Sequence, residues 1–415
     1  MPGRGVLGGP GTAAHRRGAP VDGARQDHEE GEDTMPGLID STLREGTQSP
    51  GVHLGPEEKI DLAVAVAGVG VGEIEIGPAV PDDLPGGEDL ARLVAGVRDR
   101  VPDLRIGIWC RGTAGDVEAA CRTGPDVVSI CLPVSDLHLR ARLKRPRSWV
   151  IEQVRTLPSL ARERGARWVC LGLEDATRAD PALLDEVADA ARAEGVDRIR
   201  LADTVGIATP ATIAATVARC ADRFDSGIGV HTHNDFGMAT ANAVAALEAG
   251  AAWADTSLLG MGERAGIART EELAAFLLVR WGRTFRVDGL RDLCHDLARR
   301  TGRVIAPSSP VVGDELFTCA SGLHLDGLEK DPRTYQPYAP ALVGARSRAV
   351  LGAGSGRSAV ARFLRDHGLF PDPVRLTEIT GLVRRTATAR GRTLTDAEVL
   401  ALARGDRLGP FRSAG

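Results

Sequence analysis

Two histidines one residue apart, in His231-Thr232-His233-Asn234-Asp235-Phe236-Gly237, follow a short apolar run at 227–230. Residues two apart on a strand point to the same side, so both imidazoles project together from the strand end. Neutral imidazoles are good ligands for a divalent metal, which needs further donors. Far upstream, Leu38-Ile39-Asp40-Ser41-Thr42-Leu43-Arg44-Glu45-Gly46 ends another apolar run in basic and acidic groups. A carboxylate with two imidazoles holds a divalent ion and leaves positions open for substrate. Such an ion polarises a carbonyl as a Lewis acid. Arg44 is suited to neutralise an alkoxide forming at that carbonyl, and Thr204 to donate a hydrogen bond to a carboxylate. The set suits a 2-oxo acid chelated through its carboxylate and ketone. Either addition of a carbanion or the reverse cleavage follows from that chemistry.

The elements that must position these groups repeat regularly. Strands are expected at 38–42, 73–76, 105–109, 127–131, 167–171, 198–202, 228–231 and 253–258. Amphipathic helices are expected near 56–69, 88–100, 114–123, 147–165, 181–194, 209–223, 237–249 and 270–281. Pro56, Pro181 and Pro210 fall where a first helical turn tolerates proline, and Gly165, Gly195 and Gly250 where helices stop. Strand and helix alternating eight times predicts an α/β fold, a (β/α)8 TIM barrel over 37–285, with its chemistry at the C-terminal strand ends. An open doubly wound sheet is the rival, but no Gly-x-Gly-x-x-Gly follows the first strand. Polar groups recur at the predicted rim: Arg44-Glu45, Glu75, Cys110-Arg111, Glu174-Asp175, Asp203-Thr204, the histidine stretch, and Gly260-Met261-Gly262-Glu263-Arg264-Ala265-Gly266.

Outside the barrel the pattern changes. Residues 1–36 are rich in Gly, Arg and Pro and read as a disordered tail, with Met35 an alternative start of translation. Helix is expected over 286–306. Residues 307–345, rich in Pro and Gly, read as an extended crossing segment, so 286–345 forms a linker and 346–415 a small helical subdomain. The net charge of -5 suggests neither a nucleic-acid nor a membrane partner, and no run of apolar residues is long enough to span a bilayer. Seven scattered cysteines, with no Cys-x-x-Cys, imply no disulfide framework and fit the cytoplasm.

Three stretches carry a resemblance: Asp-Ser-Thr-Leu-Arg-Glu-Gly at 40–46, His-Thr-His-Asn-Asp-Phe-Gly at 231–237 and Gly-Met-Gly-Glu-Arg-Ala-Gly at 260–266. In this order they resemble the signatures of the metal-dependent barrel family of homocitrate, isopropylmalate and citramalate synthases. The stretches 129–136, 172–180 and 321–327 look closest to the homocitrate synthases of nitrogen fixation. The resemblance implies Glu45, His231 and His233 as ligands of a divalent metal (Mg, Mn, Co or Zn). It further implies Arg44 as the carbonyl-polarising cation, Thr204 at the 2-oxo acid carboxylate, Glu174 in the site and His324 as acid-base residue. The implied reaction is a Claisen condensation of acetyl-CoA with a 2-oxo acid, in a homodimer whose His324 reaches the partner's barrel. The acceptor would be 2-oxoglutarate, giving homocitrate, or phosphonopyruvate or phosphinopyruvate, as in antibiotic pathways. Isopropylmalate, citramalate or citrate-type synthesis, and a carbon–carbon lyase or aldolase, are the alternatives.

Departures from the family pattern fall at specificity positions. Thr47 replaces the usual acidic residue before Gln48, itself expected to bind substrate. Ile267 stands where many relatives carry an asparagine. Cys170 stands where lysine-pathway homocitrate synthases carry an arginine for the distal carboxylate. Any distal acid is therefore expected to meet Arg111 or Arg264 on the rim. No tyrosine occurs near Ser347, where several relatives place the partner of the catalytic histidine.

Overall fold

The computed structural model describes residues 37–79 and 89–406; the tail expected over 1–36, with Met35, lies outside the described residues. Eight short strands build the sheet: β1 (Gly37–Asp40), β2 (Glu73–Pro78), β3 (Arg105–Arg111), β4 (Val127–Pro133), β5 (Trp168–Glu174), β6 (Arg198–Asp203), β7 (Ile228–Thr232) and β8 (Trp253–Thr256). Each pairs in parallel with its sequence neighbour, and β1 pairs with β8, closing the expected (β/α)8 barrel. Every expected barrel helix is present. Pro56, Pro181 and Pro210 open theirs, and Gly165, Gly195 and Gly250 follow theirs with φ of +94, +61 and +103°. The expectation for β8 runs two residues too far: Ser257 is still extended but bridges Arg269, and the chain then turns over Leu258–Gly260, with Leu259 at a φ of +59°.

Alternate residues of each strand divide the core. Ile74, Ile76, Ile106, Ile108, Ile130 and Leu171 join one continuous apolar cluster with the surrounding helices. The other set faces the barrel interior. In a ring of eight strands β2 and β6 lie opposite, so Glu73 meets Arg198 and Glu75 meets Arg200 only across that interior, at 2.6 and 2.7 Å. Branched aliphatic layers are the usual filling of such barrels; here charged pairs occupy much of it. Near the strand N-terminal ends, Arg105 lies over Trp168 and Trp253, centroid distances 5.1 and 4.8 Å.

The segment after the barrel departs from expectation. Helix Leu290–Thr301 sits within 286–306, but 307–345 is not a detached extended strap. Val311 and Val312 are buried in the barrel's own apolar cluster, and Phe317 packs against it. Aperiodic apolar residues need no regular element to bury themselves on a helical surface. Helix Gly322–Lys330 also lies within this segment. Leu325 of that helix joins helices Arg357–Asp366, Pro373–Arg390 and Asp396–Arg404 around a second apolar core. No helix among the described residues is long and apolar enough to cross a membrane.

One buried acid gives a stability prediction. Glu271, at the start of helix Thr270–Trp281, is fully buried; one carboxyl oxygen accepts from Leu259 N at 3.0 Å and the other has no hydrogen-bond partner. Burial pushes its pKa from the ordinary 4.5 up to about 7. The folded state then holds the proton more tightly than the unfolded chain. Stability is full below pH 4.5, falls as pH rises to about 7, and stays lower by roughly 3 kcal/mol above it. Glu271→Gln should raise the melting temperature by several degrees at pH 8.5 and hardly at all at pH 4.5. An equal change at both pH values would contradict this account.

Candidate active site

Closure makes β8 the neighbour of both β1 and β7, which brings the loops after these strands together. After β1 the chain turns tightly, with the amides of Arg44, Glu45 and Gly46 all donating to Ser41 O. His231 is the penultimate residue of β7, and His233, just beyond the strand, is fixed by an antiparallel bridge to Ile267. One donor atom each from Glu45, His231 and His233 lies within 4.8 Å of the others, and all three side chains are buried. The loop after β8 packs directly behind. Glu263 N donates to Glu45 Oε1 at 3.3 Å, and Ser49 Oγ donates to Gly262 O at 2.9 Å. Gly266, at φ +85°, has no alternative: a Cβ there would stand 1.7 Å from Gly260 O.

These donors fit a divalent cation. Burial opposes charge on Glu45, but Arg44, then His231 and His233, outweigh it and hold its pKa down to about 2. Burial and the neighbouring His231 push His233 down to about 3. The trio therefore offers an anionic oxygen and a neutral imidazole at neutral pH, the protonation states that ligate metals. His233 Nδ1 is buried without a hydrogen-bond partner among the described residues. His231 Nδ1 is held by Asp255 Oδ2 at 2.8 Å, the outer-shell carboxylate that commonly orients a ligating imidazole.

Behind the trio runs a buried charge chain that the rim pattern does not reveal. Asp255 Oδ2 also meets Arg200 at 2.9 Å, Arg200 meets Glu75 Oε1 at 2.7 Å, and Ser129 Oγ accepts from Arg200 at 2.9 Å. Glu75 Oε2 accepts from Arg44 Nε and Nη2 at 3.0 and 2.9 Å, and from Ser41 Oγ at 3.1 Å. Arg44 Nη1 donates to Glu45. These bonds use three of the five guanidinium N–H groups of Arg44 and leave two. Despite full burial, Arg200 and Arg44 hold the Glu75 carboxyl well below the usual range. Sequence reasoning misses Arg200, Asp255 and Ser129 as residues that support the site. Their signal lies in the alternation Glu73-Ile-Glu75 against Arg198-Ile-Arg200, which places complementary charges on the non-apolar faces of two strands.

The other expected site residues divide. Thr204, half-buried after β6, accepts from Asp175 N at 2.8 Å, so its hydroxyl proton remains for another acceptor. Arg264 donates to Thr204 O at 2.9 Å and pairs with Asp235 at 2.8 and 2.9 Å, on the same side of the mouth. Glu174 ends β5; Arg142 grips both its oxygens, at 2.9 and 2.5 Å, and His138 Nδ1 lies 3.4 Å away. Arg111 ends β3 and pairs with Asp116. Gln48 is exposed on the turn beyond Glu45 and bonds to none of the others. Among the described residues, no hydrogen bond, ion pair or ring contact joins His324 to these groups. It is exposed, and its ring packs on Tyr335 with centroids 4.1 Å apart. A tyrosine thus accompanies His324, although Ser347 is occupied instead by a bond from Gln336 Nε2. Cys170 lies within the barrel, where Arg198 Nε approaches its sulfur at 3.4 Å.

Comparison with known proteins shows the family and the fold. Residues 35–294 match the HMGL-like family, and residues 311–391 match the homocitrate synthase post-HMGL domain-like family. The chain is 39% identical to the homocitrate synthase of Frankia alni over 333 residues, 80% of this chain and 93% of that one. It is 36% identical to the 2-phosphonomethylmalate synthase of Streptomyces rubellomurinus over 337 residues, 80% of this chain and 88% of that one. The solved structure of hydroxymethylglutaryl-CoA lyase from Pseudomonas aeruginosa superposes with a TM-score of 0.58 at 22% identity, covering 65% of this chain and 94% of the lyase. At that identity the likeness speaks for the fold.

Proposed function

Because the chain belongs to the HMGL-like family and continues into a homocitrate synthase post-HMGL domain, we propose that it condenses acetyl-CoA with a 2-oxo acid and releases coenzyme A. The observation that carries this reading is the buried Glu45, His231 and His233 trio with Arg44 against it. A divalent ion held by the trio would supply Lewis-acid polarisation of the acceptor ketone. Arg44 directs its remaining N–H groups at the ketone oxygen and neutralises the alkoxide there. The Thr204 hydroxyl binds the acceptor's carboxylate. Glu174 and His324 handle the proton that leaves the thioester methyl group. The resulting carbanion adds to the ketone carbon, and the carbonyl pair moves to oxygen. Water then cleaves the thioester, giving a new carboxylate and the coenzyme A thiol. Homocitrate and phosphonomethylmalate are the products proposed here, after two of its relatives; citramalate and isopropylmalate synthases are relatives of similar identity.

The synthase reading is preferred to a lyase because the synthase relatives match 80% of the chain, whereas the lyase likeness covers 65%. Purified protein should release free thiol from acetyl-CoA with one member of a panel of 2-oxoglutarate, oxaloacetate, pyruvate, 2-oxoisovalerate and phosphonopyruvate. Absence of thiol release with every acceptor, together with cleavage of a 3-hydroxyacyl-CoA, would make it a lyase.

His324 enters this reading through a second copy. Leu323 beside it is exposed, and so are Leu137, Ile207 and Phe236 on the loops after β4, β6 and β7. A two-fold dimer would cover both apolar sets at once. Inactive His324→Ala and Glu45→Ala chains, mixed under conditions of subunit exchange, should regain up to about a quarter of wild-type turnover through the one intact site of each mixed dimer. Demonstrated exchange without recovered turnover would exclude action across the interface.

A further inference from the structure

A cavity with apolar walls and arginines among its lining residues opens at the same mouth, on the side away from the trio. Eight strands in a ring put β4 opposite β8, so β3, β4 and β5 face the strands that carry Glu45, His231 and His233. There a cavity of about 550 Å3 is lined by Trp109, Cys131, Arg142, Arg145 and Trp149, with Arg111 at its edge. It adjoins the proposed reaction centre: the ring centre of Trp109 lies 5.9 Å from the Arg44 guanidinium, and Glu174 lines its wall. Beside Trp109, the interior side chains of Ser129 and Cys131 are small. Gly172 has none, and a Cβ built there would still stand 3.8 Å from Arg200.

Charge in the cavity is unevenly matched. Arg111 faces Asp116 and Arg142 faces Glu174, each through two hydrogen bonds. Arg145 has no carboxylate partner among the described residues. Three guanidinium groups against two carboxylates leave an excess positive charge between two indole walls. Arg264, the other rim arginine, is on the metal side and committed to Asp235.

We propose that this cavity receives the distal oxyanion of the acceptor, so that the enzyme selects 2-oxo acids whose far end carries a carboxylate, phosphonate or phosphinate. The inference rests on the condensation proposed above. An acceptor held at the trio by its 2-oxo acid end extends across the mouth towards β4. Arg145 and Arg142 meet its far end, and the planar fork of each matches an oxyanion in two-point contact. As Arg142 turns to the acceptor, it loosens its grip on Glu174. Occupancy by the right acceptor thereby frees the carboxylate beside the reacting atoms.

The test compares wild type with Arg142→Gln and Arg145→Gln, both at exposed positions, using acetyl-CoA with 2-oxoglutarate, oxaloacetate, phosphonopyruvate or uncharged 2-oxobutyrate. Wild type should favour a charged acceptor. In each variant, KM should rise at least tenfold for that acceptor. In Arg145→Gln, which leaves the Arg142–Glu174 pair intact, it should stay within twofold for acetyl-CoA and for uncharged 2-oxobutyrate, so that the preference shrinks. A rise carried by acetyl-CoA would assign the cavity to the coenzyme's phosphates and overturn the proposal, as would a wild type that prefers 2-oxobutyrate. Tryptophan fluorescence, with Trp109 and Trp149 in the wall, reads the cavity without turnover. Phosphonopyruvate should quench wild type and not the double variant. If wild type releases no coenzyme A with any acceptor, the condensation itself fails; the fluorescence titration then still decides whether an oxyanion enters.

Discussion

Arg44→Ala is expected to lower kcat at least a hundredfold while the barrel stays folded. Arg44 is 6% exposed, and its guanidinium has two N–H groups beyond those bonded to Glu45 and Glu75. Removing one preorganised donor from a developing oxyanion typically costs about 3 kcal/mol, which is about a hundredfold in rate. Arg44 also lowers the Glu45 carboxyl pKa, so its loss would weaken metal affinity as well. Measuring kcat at saturating Mn2+ separates the two, because only the loss of oxyanion stabilisation survives saturation. Arg44→Lys keeps the charge but not the fork that spans Glu45 and Glu75, and should recover only part of the rate. The fold should persist because Glu75 keeps Arg200 as a partner. A variant with native circular dichroism and kcat within tenfold of wild type would remove Arg44 from the chemistry.

Much of the barrel is legible in the sequence because its two periods are local. Ile74 and Ile76, or Ile106 and Ile108, mark strand faces two residues apart, and proline and glycine punctuate the helices between them. The site is legible where functional groups cluster in sequence: Arg44-Glu45, and His231 with His233, leave strands that closure then joins. What the chain hides is pairing across the interior. Glu75 and Arg200 stand 125 residues apart, and nothing local links them until β2 and β6 are known to face each other. The same holds for Asp255, whose role appears only when β8 lies beside β7. Arg142 likewise reads as one base among several on a helical turn, yet it grips Glu174 across 32 residues. The segment 307–345 misleads for another reason. Val311 and Val312 bury themselves singly, without period, while Gly322 and Gly327 mask the helix that carries His324.

Removal of divalent metal is expected to abolish thiol release, and added Mn2+ or Mg2+ to restore it. Glu45, His231 and His233 form the one group of potential metal ligands of this kind found among the described residues, so a single ion should bind each chain. Calorimetric titration of the stripped protein with Mn2+ should give one site, lost in His233→Ala. His233 suits this test because its Nδ1 has no hydrogen-bond partner among the described residues, so the fold should tolerate the change. Asp255→Asn probes the next shell. It keeps a hydrogen bond to His231 Nδ1 possible but removes the negative charge that Arg200 and His231 share. Loss of such an outer-shell carboxylate typically weakens metal affinity about 10- to 100-fold. Turnover of Asp255→Asn should therefore rise towards wild type as Mn2+ is raised, whereas His233→Ala should stay inactive at any concentration. The two variants thus separate orienting a ligand from being one. Undiminished turnover after chelation, in protein verified by elemental analysis to be free of metal, would end the case for a metal at this trio.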